Sequence, residues 1–180
     1  SKKLHQVLQK SGIIIHTNQK AEGFDLNKYD KVLLSVGRRA LTEGIFEDKA
    51  GIKLEKGSIL ADRELKTTMP GVFAAGDCIG GYMLAHVASY EGELASRNMF
   101  LKAEKRDYSV VPSSIFTSPE VASVGITEEE AKKFGVAFKA NITHFLSVGM
   151  AHILESTDGF VKVVVEEKTG RILGASMIGL

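Results

Sequence analysis

The chain has 180 residues, enough to bury a core and to form one or two domains. Its 23 basic and 22 acidic residues are interspersed and leave a formal net charge of +1, so the composition does not favour a nucleic-acid partner. No apolar stretch approaches the ~20 residues of a membrane-spanning helix, and a single cysteine, Cys78, excludes both an intrachain disulfide and a cysteine-based zinc cluster.

The first predicted elements are a short helix and two strands. Apolar residues recur at helical spacing at Leu4, Val7 and Leu8. Gly12 is a typical helix stop, and the β-branched run 13–15 predicts a strand. Residues 31–37 predict a second, buried strand. Because the chain opens into a helix, with no initiator methionine and no signal-peptide core, the sequence predicts an interior segment of a longer protein. We expect a reducing compartment, either the cytoplasm or, in a eukaryote, the mitochondrial matrix.

The run 68–77 is the most informative part of the chain. Met69-Pro70-Gly71 favours a turn, and the small, apolar residues 72–75 predict a strand that is covered on both faces. Gly76 lets the backbone approach a neighbour closely. Asp77 then places a carboxylate at the carboxyl end of the strand, where open α/β sheets bind ligands. Such a carboxylate can accept hydrogen bonds from ligand hydroxyls, each worth ~1.5–3 kcal/mol. By itself, the run is equally compatible with a buried strand that ends in a polar turn.

The longest predicted helix covers residues 82–102. One broad face is apolar and contains Leu84, Val87, Ala88, Ala95 and Met99. Gly92 costs ~1 kcal/mol relative to alanine inside a helix, and we expect it to serve close packing against the sheet. The N-terminus of the helix carries free amide donors and a partial positive charge. Those dipoles can stabilise electron density that accumulates on a nearby ligand; a capped helix after the Gly80-Gly81 loop is the simpler alternative.

The composition changes near Tyr108, and a new set of elements follows. Residues 111–117 predict a strand, and Thr127 with Glu130 forms a capping box at the start of a helix. Two further strands joined by a hairpin are predicted at 160–166 and 171–178. We therefore expect a domain boundary at about residue 108.

Several spaced motifs resemble the pyridine nucleotide–disulfide oxidoreductases. In chain order they are Val36-Gly37-Arg38-Arg39, Gly76-Asp77, Met83-Leu84-Ala85-His86, Glu91-Gly92, 116–125, 157–162 and 172–175. They cover nearly the whole chain in the order of the family. The resemblance implies a fold of mixed α/β and α+β type. Residues 1–37 would be a remnant of the NAD-binding domain, 38–108 a segment of the FAD-binding domain, and 109–180 a truncated α+β dimerisation domain.

The resemblance also implies roles for individual residues. Asp77 would bind the ribityl region of FAD, and Gly37 would lie against NAD. The flavin would be lined by Met83, Leu84, Ala85 and His86. For the His86 side chain, packing at the helix start is an equally good interpretation. Arg38 and Arg39 could contact the cofactor or form ion pairs.

Cys78 is interpreted as a packing residue, because a lone thiol cannot form the family's redox disulfide. The other histidines lack metal-ligand spacing, so no metal site is expected. No catalytic residue of the family falls in this chain: its glycine-rich G-x-G-x-x-G fingerprints, its C-x-x-x-x-C redox pair and its general base have no counterpart here. The connection between Thr17 and Lys31 is also short for the family, which predicts an internal gap near residues 18–21.

The function implied by the resemblance is the oxidation of dihydrolipoamide, with electrons passing through a disulfide and FAD to NAD. We expect a homodimer formed through residues 109–180, in which the partner subunit supplies the general base. A 2-oxo acid dehydrogenase complex is a further expected partner. Two alternatives stay open. One is a family member with another substrate, such as mercuric ion or a second pyridine nucleotide, and the other is a non-catalytic dimerisation module.

Overall fold

The computed structural model describes residues 2–179, apart from the side chain of Asp48. Ser1 and Leu180, the ends of the first and last predicted domains, lie outside the described residues. The helices are α1 (Lys2–Lys10), α2 (Ala85–Phe100), α3 (Glu128–Lys133) and α4 (Gly149–Ile153). The strands are β1 (Leu54–Glu55), β2 (Ser58–Ile59), β3 (Ser113–Ile115), β4 (Glu120–Gly125), β5 (Phe138–His144), β6 (Phe160–Glu166) and β7 (Ile172–Gly179). The chain divides into two compact units, one of residues 27–108 and one that combines 1–26 with 109–180. Within residues 2–179, no helix is both long enough and apolar enough to cross a bilayer.

The unit 27–108 is built around α2. Its core consists of Leu65, Leu94 and Ala95, against which three partly buried residues pack, namely Phe73, Ala75 and Ile79. The buried face of α2 also contains two polar residues, Glu91 and Asn98. Burying a polar group in such a core costs free energy unless the group is hydrogen-bonded. Glu91 and Asn98 make these bonds to backbone groups of the surrounding loops and so hold the loops against α2.

Helix α2 differs from its prediction in two respects. It begins at Ala85 rather than at residue 82, because Met83 adopts a left-handed conformation (φ 47°) and Leu84 is an extended N-cap. Gly92 is exposed, and a Cβ placed on it would meet nothing within 4 Å. The expected close packing of Gly92 against a sheet is therefore wrong for the part of the chain that the structure describes.

Three predicted strands, 13–15, 31–37 and 72–75, do not form as sheet strands. Residues 31–40 have no regular secondary structure, and the side chains of Leu33 and Leu34 are 90% and 80% exposed. Residues 72–75 make only local bonds, such as the isolated bridge between Lys66 and Phe73. A strand forms only when a neighbouring backbone supplies its ladder of hydrogen bonds. The described residues provide no such neighbour for 13–15 and 31–37, and for 72–75 they provide only the short stretch around Lys66.

The connection between the first two predicted strands, from Ile15 to Tyr29, contains two short 3₁₀ turns, Ala21–Gly23 and Leu26–Lys28. The expected internal gap near residues 18–21 stays a prediction.

The second unit contains a five-stranded antiparallel sheet in the order β3-β4-β7-β6-β5. The predicted hairpin is confirmed, because β6 and β7 pair along their length. The capping box at the start of α3 is confirmed as well: the Thr127 side chain accepts the Glu130 N–H, and the Glu130 carboxylate accepts the Thr127 N–H. Gly174 in β7 allows a close approach, since a Cβ there would lie 2.1 Å from the Ile126 carbonyl oxygen.

The two faces of this sheet are covered differently. On one face, the Lys162 ammonium donates to Glu128 of α3 at 2.7 Å, and Ala131 of the same helix is fully buried. Successive residues of a strand point to opposite faces, so Val161 and its cross-strand partner Met177 lie on the other face. There, Met177 is 42% exposed beside a shallow apolar recess. The described residues thus leave Met177 and the recess beside it uncovered on this second face.

Candidate functional site

The Gly76-Asp77 motif forms the start of a tight 3₁₀ turn, Gly76–Ile79. Gly76 has φ 79°, a conformation that side chains rarely adopt. A Cβ added to Gly76 would also lie 3.1 Å from the Cβ of Ala88 in α2. Glycine is needed here for both reasons, because the chain turns with a positive φ while its backbone touches the helix.

Glu91 fixes this turn from the helix. Its side chain is almost completely buried, and its Oε2 accepts the backbone N–H of Gly76 at 2.6 Å. Its other oxygen accepts a short hydrogen bond from the Tyr108 hydroxyl. Burial, and then the hydrogen bond to Glu91, raises the pKa of Tyr108 to about 12. The sequence analysis missed this role, although a glutamate on the apolar face of α2, three residues after Ala88, is a detectable signal.

Asp77 presents its carboxylate to solvent. Its backbone carbonyl accepts the Gly80 N–H at 3.1 Å, which closes the turn. Its side chain is exposed and makes no hydrogen bond or ion pair with another residue in the range 2–179. The carboxylate is therefore available to accept hydrogen bonds from a ligand.

The four residues Met83 to His86 form the entry to α2. Leu84 is the N-cap, without a side-chain cap, and the first helical bond runs from the Ala88 N–H to the Leu84 carbonyl at 2.9 Å. The amides that precede Ala88 in the first turn consequently have no acceptor within the helix. No acidic side chain lies in that turn. This helix end thus offers donors and a partial positive charge, while the side chain of His86 is exposed.

Gly37 lies in the extended segment that precedes this site in the chain. It is exposed with φ 114°, and a Cβ on it would meet nothing within 4 Å. The following residue, Arg38, donates from Nη2 to the Met83 carbonyl at 3.2 Å. Arg39 instead forms an exposed pair with Glu43 at 3.8 Å, and exposed pairs contribute little stability. The structure therefore connects the Gly37 segment to the entry of α2 through Arg38.

Cys78 lies within the turn Gly76–Ile79, and Tyr82 and Arg106 contact the ring of Tyr108. The Cys78 thiol donates to the Ala75 carbonyl at 3.2 Å within the turn. The Tyr108 ring contacts Tyr82 edge-on at 5.3 Å, and the Arg106 guanidinium lies 5.4 Å from the centre of the same ring. The sequence analysis did not identify this aromatic cluster. Among the described residues, no group of three or more His, Cys, Asp or Glu side chains is arranged to bind a metal ion.

These features are chemically compatible with FAD. The exposed Asp77 carboxylate can accept hydrogen bonds from the hydroxyls of a ribityl chain. The uncapped amides at the start of α2 can stabilise an electron-rich ring edge. Both elements are held in the same unit by contacts of Gly76 with Ala88 and Glu91.

Comparison with known proteins finds matches over both parts of the chain. Residues 1–92 match the family described as pyridine nucleotide-disulphide oxidoreductase, and residues 111–180 match the dimerisation domain of the same proteins. The dihydrolipoyl dehydrogenase of Chlamydia muridarum is 43% identical over 156 residues, which cover 86% of this chain and 34% of that protein. The dihydrolipoyl dehydrogenase of Thermus scotoductus is 36% identical over 196 residues, covering 98% of this chain and 42% of that protein.

A similar solved structure is the Cu(II) complex of the HOCl-induced flavoprotein disulfide reductase RclA from Escherichia coli. It superimposes with a TM-score of 0.75 at 28% identity and covers 81% of this chain and 34% of that chain. The chain thus spans only about a third of the length of several proteins that it matches. The Thermus alignment, at 196 residues, is longer than the 180-residue chain, so that relative contains residues without a counterpart here.

Proposed function

Because the chain belongs to the pyridine nucleotide-disulphide oxidoreductase family, we propose that it forms part of a flavin-dependent dihydrolipoyl dehydrogenase. The observation that carries this proposal is the exposed, unpaired Asp77 carboxylate on the same unit as the uncapped start of α2. The 43% identity to a dihydrolipoyl dehydrogenase, over residues that cover 86% of this chain, supports the choice within the family. The activity would be the oxidation of dihydrolipoamide with reduction of NAD.

In this proposal the described residues hold the cofactor. Asp77 binds the ribityl hydroxyls of FAD, while the backbone and side chains of Met83, Leu84, Ala85 and His86 line the flavin. Gly37, which carries no side chain, lies against NAD. FAD would carry electrons between a disulfide and NAD. The disulfide would belong to a segment outside these 180 residues, since Cys78 is the only cysteine here, and the general base would also lie outside them.

We further propose that residues 109–180 mediate a homodimer. The match of residues 111–180 to a dimerisation domain supports this, as does the apolar recess beside the exposed Met177. The partner subunit would supply the general base, so activity would require the dimer. The same proposal includes association with a 2-oxo acid dehydrogenase complex. It also includes the division of the chain into the domains 1–37, 38–108 and 109–180, and the location of the protein in a reducing compartment, either the cytoplasm or the mitochondrial matrix.

A second candidate is a reductase of another substrate in the same family. The similarity to the flavoprotein disulfide reductase of E. coli at a TM-score of 0.75 favours keeping it. Mercuric reductase and a soluble transhydrogenase are further members of this class. Steady-state assays of the complete gene product distinguish these activities. They compare the turnover with dihydrolipoamide and NAD to the turnover with NADPH and mercuric ion and with NADPH and NAD. A faster turnover with either of the latter pairs would contradict the first proposal.

A non-catalytic dimerisation module is the candidate from a different class. The intact mass of the natural protein separates it from an enzyme. A mass of 19.5 kDa, together with dimerisation and no flavin, supports the module. A mass about three times larger, with bound flavin, supports the enzyme, given that the chain covers 34% of the Chlamydia relative.

The flavin assignment is tested by Asp77→Ala in the complete gene product. We expect the dissociation constant of FAD to rise at least about tenfold, because the ribityl hydroxyls lose a charged hydrogen-bond acceptor. Asp30→Ala is the matched control, since Asp30 is also exposed and is distant from the turn along the chain. Flavin fluorescence quenching measures both constants. An unchanged FAD affinity in Asp77→Ala would refute the assignment.

A further inference from the structure

The flavin site proposed above leaves one buried acid without a role. Glu91 lies in the interior of α2 and is 2% exposed. Both of its oxygens are used: Oε2 accepts the Gly76 N–H at 2.6 Å and Oε1 accepts the Tyr108 hydroxyl. Burying a carboxylate is costly unless it is hydrogen-bonded. A simple helix–core contact would be served as well by an apolar side chain, so the acid must be explained by what it binds.

The Gly76 amide is the contact that links Glu91 to the ligand-binding surface. Hydrogen bonds from a backbone N–H to a carboxylate are among the stronger and more directional bonds in proteins. Glu91 and Ala88 are three residues apart and lie on one face of α2. Ala88 touches Gly76 from this face as well, since a Cβ on Gly76 would be 3.1 Å from that of Ala88. The helix therefore fixes both the position and the orientation of the Gly76 peptide group.

Asp77 follows directly, and its own peptide carbonyl is held by the Gly80 N–H at 3.1 Å. With Gly76 and Gly80 both fixed, the direction in which the Asp77 carboxylate leaves the backbone is determined by the turn. No other contact in residues 2–179 holds that carboxylate. Its orientation thus depends on the bond between Glu91 and Gly76.

Resting on the proposed flavin site, we propose that Glu91 is a positioning residue, which holds the Gly76 amide so that Asp77 is presented to FAD in the correct orientation. Glu91 itself does not contact the cofactor in this proposal. Tyr108 supports Glu91 by occupying its second oxygen, but it is not required for the bond to Gly76. The two oxygens of Glu91 therefore have separable roles.

Because the two oxygens of Glu91 have separable roles, variants of the complete gene product should weaken FAD binding to different degrees. Glu91→Ala removes the bond to Gly76, and we expect the dissociation constant of FAD to rise about tenfold. Glu91→Gln keeps an oxygen for the Gly76 amide, and the Tyr108 hydroxyl can accept from the new amide, so we expect a rise of only about threefold. Tyr108→Phe leaves the bond to Gly76 in place and should change the constant by less than about twofold. Glu93→Gln is the control, because Glu93 is exposed on the same helix.

A double-mutant cycle with Asp77→Ala distinguishes positioning from a general structural role. If Glu91 acts through Asp77, then Glu91→Ala should have almost no further effect on FAD affinity once Asp77 is alanine. Equal fold-changes in both backgrounds, or full FAD affinity in Glu91→Ala, would overturn the inference. If Glu91→Ala does not fold, the same cycle with Glu91→Gln decides by the same criterion. An unchanged affinity in Asp77→Ala alone would instead refute the flavin site itself, so the two failures are distinguishable.

Discussion

Asn98→Ala is expected to destabilise the unit 27–108 strongly. Asn98 is 7% exposed, and its amide joins three segments of this unit. Its Nδ2 donates to the carbonyls of Glu64 and Glu104, each at 2.9 Å, and its Oδ1 accepts the Glu104 N–H at 2.8 Å. The side chain thus satisfies three backbone groups in the loops on either side of α2.

The size of the effect follows from these three bonds. Each contributes ~1 kcal/mol net, and a buried partner that remains unsatisfied costs ~1–3 kcal/mol. Some of the released groups will reach water at the unit's surface, which reduces that cost. We therefore expect Asn98→Ala to lower the free energy of unfolding by about 3 kcal/mol. Asn98→Asp should be at least as harmful at neutral pH, because it places a carboxylate oxygen opposite two carbonyl oxygens.

Equilibrium unfolding of the 180-residue chain in urea, followed by tyrosine fluorescence, measures this effect. The chain has four tyrosines and no tryptophan, and the four tyrosines, Tyr29, Tyr82, Tyr90 and Tyr108, all lie in the unit 27–108. The signal therefore reports on this unit. Ser96→Ala, an exposed position on the same helix, should stay within ~0.5 kcal/mol of the parent. A loss in Asn98→Ala no larger than in this control would refute the reasoning.

Two further predictions concern the helices. Gly92→Ala should raise the free energy of unfolding by up to ~1 kcal/mol, because Gly92 is exposed and a Cβ would meet nothing within 4 Å; a loss in the same urea assay would show that the space is not free. Thr127→Ala should cost about 1 kcal/mol by removing the N-cap of α3, measured by circular dichroism. Hydrogen bonds from Thr127 hold the pKa of Glu130 below its usual 4.5. The contribution of Glu130 is therefore fully present above that pH and is lost as the pH falls through the lowered folded-state pKa. The difference between Thr127→Ala and the parent should accordingly shrink in acid, and a constant difference would contradict this account.

Elements that depend on nearby residues could be predicted from the sequence. The capping box at Thr127 and the hairpin between β6 and β7 are local, so the pattern of residues was sufficient to predict them. The motif Gly76-Asp77 and the entry to α2 were also identified as a candidate ligand site. The exposed carboxylate of Asp77 and the helix start without a side-chain cap are the acceptor and the donors that a ligand site needs. The binding of FAD there remains a prediction.

Elements that depend on distant partners could not be predicted in the same way. The segments 13–15 and 31–37 have the composition of strands, yet they lack a neighbouring backbone among the described residues and remain irregular. The helix begins at Ala85 rather than at residue 82 because Met83 is left-handed, and the Met83 carbonyl accepts a hydrogen bond from Arg38. The positions of Glu91 and Asn98 on α2 do not reveal their distant partners, the Gly76 amide and the loops at Glu64 and Glu104.

The sequence by itself determined the family, the order of the motifs and the glycine and aspartate of the candidate flavin site, because these are properties of residue type and spacing. Only the tertiary structure decided which polar groups hold that site together. The bond from the Gly76 amide to Glu91 joins residues 15 apart in the chain, and the bonds of Asn98 reach back to Glu64, 34 residues away. Burial makes such bonds necessary, and burial is a consequence of how the chain packs.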